Sequence, residues 1–121
     1  MKAGDIMRVA IVGSRTLTVN HLENYLPEDT VEIISGGAAG VDTCACRYAL
    51  ANNIPLTEFL PEYKKYGRSA PILRNMSIIQ HADLVLIFWD GKSAGSRHVI
   101  RQCRRLGREY RVFLPDDRAF V

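Results

Sequence analysis

At 121 residues, 47% hydrophobic and 24% charged, the chain has the size and make-up of one globular domain with one real core. Its longest apolar run, residues 84–89, is far too short to cross a bilayer, and no charged-then-apolar signal segment opens the sequence. The net charge of +3 is mild, and an odd set of three cysteines argues against a disulfide framework, so a cytoplasmic protein without membrane contact is expected.

Residues 1–7 read as a short unstructured leader and residues 8–121 as a single domain. Residues 8–13, Arg-Val-Ala-Ile-Val-Gly, are an apolar, β-branched run ending in glycine, the pattern of a buried parallel strand. Gly13, Ser14 and Arg15 close it. The glycine permits a tight turn, the serine offers a hydroxyl, and the arginine can pair with a phosphate through two bonds. Val19, Leu22, Tyr25 and Leu26 have helical spacing and predict a helix over 19–26, with a turn at 27–30.

A second strand, 31–35, runs into Ser35, Gly36, Gly37, Ala38, Ala39, Gly40, Val41 and Asp42. Small residues let backbone N–H groups approach a ligand closely, and the N-terminus of the next helix, 41–52, favours an anion. Asp42 can cap that helix or reach a ribose hydroxyl. The pattern is neither the Walker motif nor GxGxxG. A third strand is expected at 54–60 and a polar, tyrosine-bearing loop at 61–67. A helix follows at 69–81, with Ser69 as N-cap and Pro71 in its first turn. Arg74 and Asn75 lie on that helix. The arginine is in a position to reach a phosphate and the asparagine to orient a loop.

The fourth strand, 83–89, is the most apolar. After it Asp90, Gly91, Lys92, Ser93, Ala94, Gly95 and Ser96 again lead through small polar residues to a helix start. The Gly91-Lys92-Ser93 triplet is no P-loop, because no glycine stands five residues earlier. Trp89 either stacks on a base or belongs to the core. A helix over 96–106 is closed by Gly107, a fifth strand spans 110–114, and the last seven residues form a tail. Six arginines and one acid, Glu109, fall between 97 and 111. Arg101, Arg104, Arg105 and Arg108 are spaced to share a helix face, which reads as a solvated or oligomer-forming surface and alternatively as a phosphate track. Cys44 and Cys46 would lie about 200° apart on a helix. His21, His81 and His98 are scattered, so no metal site and no required cofactor are expected.

Strands alternating with helices predict an α/β, three-layer Rossmann-like fold, with a central parallel sheet of about five strands and helices on both faces. Ligands of such sheets bind beyond the carboxyl ends of the strands, near the switch in strand order.

Four fragments occur in order: Gly13-Ser14-Arg15; Ser35 through Asp42; Tyr66-Gly67-Arg68-Ser69-Ala70 followed by Arg74-Asn75; and Ala82-Asp83 through Phe88-Trp89-Asp90-Gly91 to His98. Together they resemble the SLOG superfamily, which includes the DNA-processing protein Smf/DprA and the LOG cytokinin-activating phosphoribohydrolases. The resemblance is greatest to its small YspA-like branch and covers about residues 8–114. It implies a Rossmann-like fold and a nucleotide-type ligand at the strand ends. LOG-type enzymes cleave the N-glycosidic bond of a nucleoside monophosphate with an arginine and a glutamate. Arg74 is similar to that arginine, but the glutamate position carries Val99. Valine cannot stabilise an oxocarbenium-like charge or position water. His98 points about 100° away on a helix and reads as a capping or packing residue.

The expected function is therefore binding or sensing of a nucleotide or nucleotide derivative without catalysis. The alternatives are a nucleotide hydrolase, with Asp42 or Asp90 as carboxylate and Arg74 on the phosphate, and a nucleic-acid-binding protein. A homo-oligomer fits a small domain of this kind.

Overall fold

A computed structural model describes residues 6–115. Five strands, β1 (Met7–Gly13), β2 (Thr30–Ser35), β3 (Leu56–Glu58), β4 (Leu84–Phe88) and β5 (Tyr110–Phe113), form one parallel sheet in the order β3-β2-β1-β4-β5. Its helices are α1 (Val41–Ala51), the single turn α2 (Tyr63–Tyr66), α3 (Ala70–His81) and α4 (Ala94–Leu106). The strand order reverses between β1 and β4, which pair from Val9 and Leu84 to Gly13 and Phe88.

Side chains on a strand alternate between faces, so each central strand feeds two cores. Val9, Ile11, Ile33, Leu84, Leu86 and Phe88 pack with Val41, Ala45 and Ala49 of α1 on one face. Ala10, Val12, Ile34, Val85 and Ile87 pack with Ile78 and Ile79 of α3 and with Val99, Ile100 and Cys103 of α4 on the other. Burial on both faces is why β1 and β4 read as nearly unbroken apolar runs, whereas β2 is buried only over residues 33–35. α1 thus covers one side of the sheet and α3 with α4 the other, leaving the strand ends at the β1/β4 switch uncovered.

The structure departs from the sequence reading in five places. Met7 is not leader: it is buried at the start of β1, and its N–H donates to the Asp29 carbonyl at 3.0 Å. Ile6 before it is exposed, and residues 1–5 of the proposed leader and most of the proposed tail, residues 116–121, lie outside the described residues. Residues 19–26 form no full helix, only a 3-10 turn over Leu22–Asn24. His21 takes a left-handed conformation at φ 58°, which interrupts any α-helix there. Val19, Leu22 and Tyr25 still bury, so the apolar spacing reflected packing of an irregular segment.

Ser69 does stand at the N-cap of α3, but its side chain makes no capping hydrogen bond. It ends a 3-10 turn, Gly67–Ser69, that runs directly into α3, while Pro71 does stand in the first turn. The 61–67 loop contains α2. Finally, α4 stops at Leu106 because Gly107 adopts φ 67°, so Arg108 falls beyond the helix and leaves the expected arginine face. Among the described residues no helix is long and apolar enough to cross a membrane.

Candidate functional site

A cleft of about 330 Å³ opens at the switch point, within the usual size range of small-ligand sites. β1 contributes Val12 and Gly13 and, past its end, Ser14, Arg15 and Thr16 follow. The β2–α1 connection contributes Ala38 and Asp42. α3 presents Pro71, Arg74, Asn75 and Ile78, and the start of α4 presents Ser93, Gly95, Ser96 and Val99. Ser14, Ser35, Asp42, Asn75 and Ser96 are the buried polar side chains among the described residues, and four of them line this one cleft. Buried polar groups are unusual enough for that concentration to mark a site.

Three sequence-nominated segments meet here. Ser14 Oγ accepts the Asp90 N–H at 3.1 Å and lies 3.0 Å from Ser93 Oγ, which ties the end of β1 to the loop after β4. Asp90 organises that loop. Its Oδ1 accepts the N–H groups of Lys92 and Ser93, each at 2.8 Å, and its Oδ2 accepts the Ser93 hydroxyl at 2.8 Å. Those donors, the Ser93 N–H foremost, hold the Asp90 carboxyl well below the usual carboxylate range. Asp90 and Gly91 are therefore scaffold beside the cleft and not part of its wall.

The Ser93 hydroxyl is turned to this network, so α4 has no side-chain cap. Gly40, the residue before α1, has no side chain to offer either. The N-terminus of α4 thus meets the cleft without a side-chain cap, and such N-termini favour anions.

The small-residue loop serves packing more than direct ligand approach. The Gly37 N–H donates to Ser35 Oγ and the Ala38 N–H to Asp42 Oδ2, at 3.2 and 3.1 Å. At Gly40, which has φ +72°, a Cβ would lie 2.4 Å from the Arg15 carbonyl oxygen, so glycine lets the two strand-end loops touch. Gly36 makes room for Arg74. Ser35, Gly36, Gly37, Gly40 and Val41 shape the cleft from behind, and Ala38 and Asp42 reach its wall.

Arg74 is half-buried. Its Nη1 donates to the Gly36 carbonyl at 2.6 Å and its Nε to Asn75 Oδ1 at 2.9 Å. Burial lowers its pKa, against the opposing pull of Asp42. Asp42 itself is 5% exposed, and burial pushes its carboxyl upward despite the Ala38 N–H and Arg74. Asn75 Nδ2 lies 3.5 Å from His98 Nδ1, and burial, then Arg101, pushes His98 toward its neutral form. Val99 is 3% exposed and gives the cleft an apolar wall at the position where the LOG pattern has its glutamate. Trp89 does not reach the cleft. Its Nε1 donates to the Ser93 carbonyl and Arg97 lies over its ring.

Thr16, Pro71 and Ile78 also line the cleft and were missed by the sequence reading. The signal for two of them was present. Residues 71, 74, 75 and 78 are spaced i, i+3, i+4, i+7 and share one helix face.

The family described as DNA recombination-mediator protein A matches residues 2–61, a span that includes Gly13–Arg15 and the whole 35–42 loop. The "Gene 61 protein" of Mycobacterium phage D29 is 32% identical over 113 residues, covering 83% of this chain and 90% of that protein. No solved structure matches the chain. With a parallel sheet in the order β3-β2-β1-β4-β5 and its signature loops gathered at one switch point, the chain belongs to the SLOG superfamily, alongside Smf/DprA.

Proposed function

We propose that the domain binds a nucleotide or nucleotide derivative in the β1/β4 cleft, with the phosphate toward Arg15, Arg74 and the start of α4. The observation that carries this reading is convergence. Two arginines, four buried polar side chains and an uncapped helix N-terminus line one cleft of about 330 Å³. That volume suits a ligand of mononucleotide size. The wall at Val99 is apolar, and Asp90 is bound up in its own loop, so the reading is binding or sensing without N-glycosidic cleavage.

A thermal-shift screen of mononucleotides, dinucleotides and ADP-ribose derivatives tests this. A ligand that binds only the folded state raises the midpoint with its concentration. The expected result is a shift that Arg74→Ala removes, with the ligand recovered unchanged. No shift with any member contradicts binding. Release of free base contradicts the non-catalytic reading and restores a hydrolase using Asp42.

The name of the matched family supports a second reading, nucleic-acid binding, for which the exposed Arg97, Arg101 and Arg104 along α4 provide the charge. A gel-shift titration at low salt that stays flat disposes of it.

A further inference from the structure

The phosphate reading leaves one charged group of the cleft without a role. The Asp42 carboxyl is held by the Ala38 N–H, which Oδ2 accepts, with the Gly36 N–H also drawing its pKa down, but Oδ1 is buried and makes no hydrogen bond. None of the ion pairs among the described residues joins Asp42 to Arg74, whose Nη1 and Nε are given to Gly36 and Asn75. No cluster of histidine, cysteine or acidic side chains among the described residues could complete Asp42 with a metal. An unpartnered buried carboxylate oxygen is costly, and burial duly pushes this carboxyl upward. An anion bound beside it would add repulsion unless the ligand also brought a donor.

The position of Arg74 shows how the carboxylate can be reached. Where Gly36 lacks a side chain, the Cβ position is 2.5 Å from Arg74 Nη1 and 3.0 Å from Asp42 Oδ2. The guanidinium and the carboxylate therefore stand side by side over bare backbone. An anion that draws Arg74 outward leaves the carboxylate open to the same ligand. In any nucleotide the hydroxyl donors nearest the phosphate are those of the sugar.

Resting on the nucleotide reading above, we propose that Asp42 reads the ligand's sugar: its carboxylate accepts a hydrogen bond from a ribose hydroxyl, so the cleft selects ribonucleotides over nucleotides lacking the 2′- and 3′-hydroxyls.

Calorimetric titration of the intact protein tests this, with the four ribonucleoside 5′-monophosphates and their 2′,3′-dideoxy counterparts as probes. A hydrogen bond to a charged group implies that the preferred ribonucleotide binds about tenfold or more tightly than its dideoxy form. Asp42→Asn keeps an amide oxygen for the Ala38 N–H and turns a donor toward the ligand. It is expected to lose most of that preference while dideoxy binding is kept or improved. Asp42→Ser serves the same purpose if the asparagine variant does not fold. Equal affinities in the unaltered protein overturn the proposal and leave nucleotide binding standing, as does a preference that survives both substitutions. Absence of binding in both series overturns this proposal, and the nucleotide reading falls with it only if the dinucleotides and ADP-ribose derivatives also give no thermal shift.

Discussion

At the scale of single residues, the glycines separate fold from function. A Cβ on Gly13 would lie 2.3 Å from the Phe88 backbone oxygen and 2.8 Å from a Val41 methyl. The Phe88 oxygen cannot move without shifting the sheet, nor the buried Val41 without shifting α1, so Gly13→Ala is expected to cost about 3 kcal/mol in denaturant unfolding. At Gly36 the obstacles are side-chain ends, the tip of Arg74 at 2.5 Å and Asp42 Oδ2 at 3.0 Å, and φ is not left-handed. Gly36→Ala is therefore expected to cost less than about 1 kcal/mol. By dislodging Arg74 it weakens mononucleotide binding, a combination read from unfolding and calorimetry on one sample. The two carboxylates make opposite predictions with pH. Asp90 is held below its unfolded value near 4, so its contribution is present above that pH and fades as pH falls toward the folded value. Asp90→Asn should thus lose stability at pH 7, and the gap should narrow in acid. Asp42 is raised, so its folded form binds more protons and the native protein loses stability as pH rises through the folded value. Asp42→Asn should be neutral or stabilising at pH 7, with its advantage vanishing in acid. Unfolding at pH 7 and pH 3 checks both signs.

At the scale of elements, the least regular crossover is held by aromatic packing in place of a helix. Tyr25, Phe88 and Phe113 join the 19–26 segment, β4 and β5, with ring centroids 4.8 to 5.0 Å apart. Phe88 is fully buried, so Phe88→Ala is expected to cost about 3–5 kcal/mol in thermal or denaturant unfolding. This segment also shows what could and could not be read from the chain. β1 and β4 were legible because burial on both faces leaves an apolar run that needs no partner to be recognised. α4 was legible from its spacing and from Gly107. The 19–26 helix was not, because Val19, Leu22 and Tyr25 have helical spacing while His21 breaks the backbone between them. In the site, Ser14, Arg15, Asp42, Arg74 and Asn75 could be nominated from their chemistry. Their mutual positions could not, since Arg74 meets Gly36 only through tertiary packing across 38 positions of chain. The loop glycines were legible as special, but their reason, contact between loops from different strands, is visible only in three dimensions.

For the molecule as a whole, the strand order decides where chemistry can occur. α1 packs on one face of the sheet and α3 with α4 on the other, so the chain leaves β1 and β4 toward opposite faces at the switch. Arg15, Asp42, Arg74, Ser93 and Ser96, drawn from the whole length of the chain, meet there and nowhere else among the described residues. The arginines of α4, Arg97, Arg101, Arg104 and Arg105, are exposed, and none of the four lines the cleft. The cleft and that basic face are thus distinguishable surfaces. The measurement that separates them most directly is a ¹H–¹⁵N NMR titration with the mononucleotide that gives the largest thermal shift. Saturable shifts at Gly13 to Thr16, Ala38, Asp42, Arg74, Asn75 and Ser93 to Ser96 are predicted, with Arg101 to Arg105 unmoved. Shifts confined to Arg101–Arg105, or none on any residue, would contradict a ligand site at the β1/β4 switch.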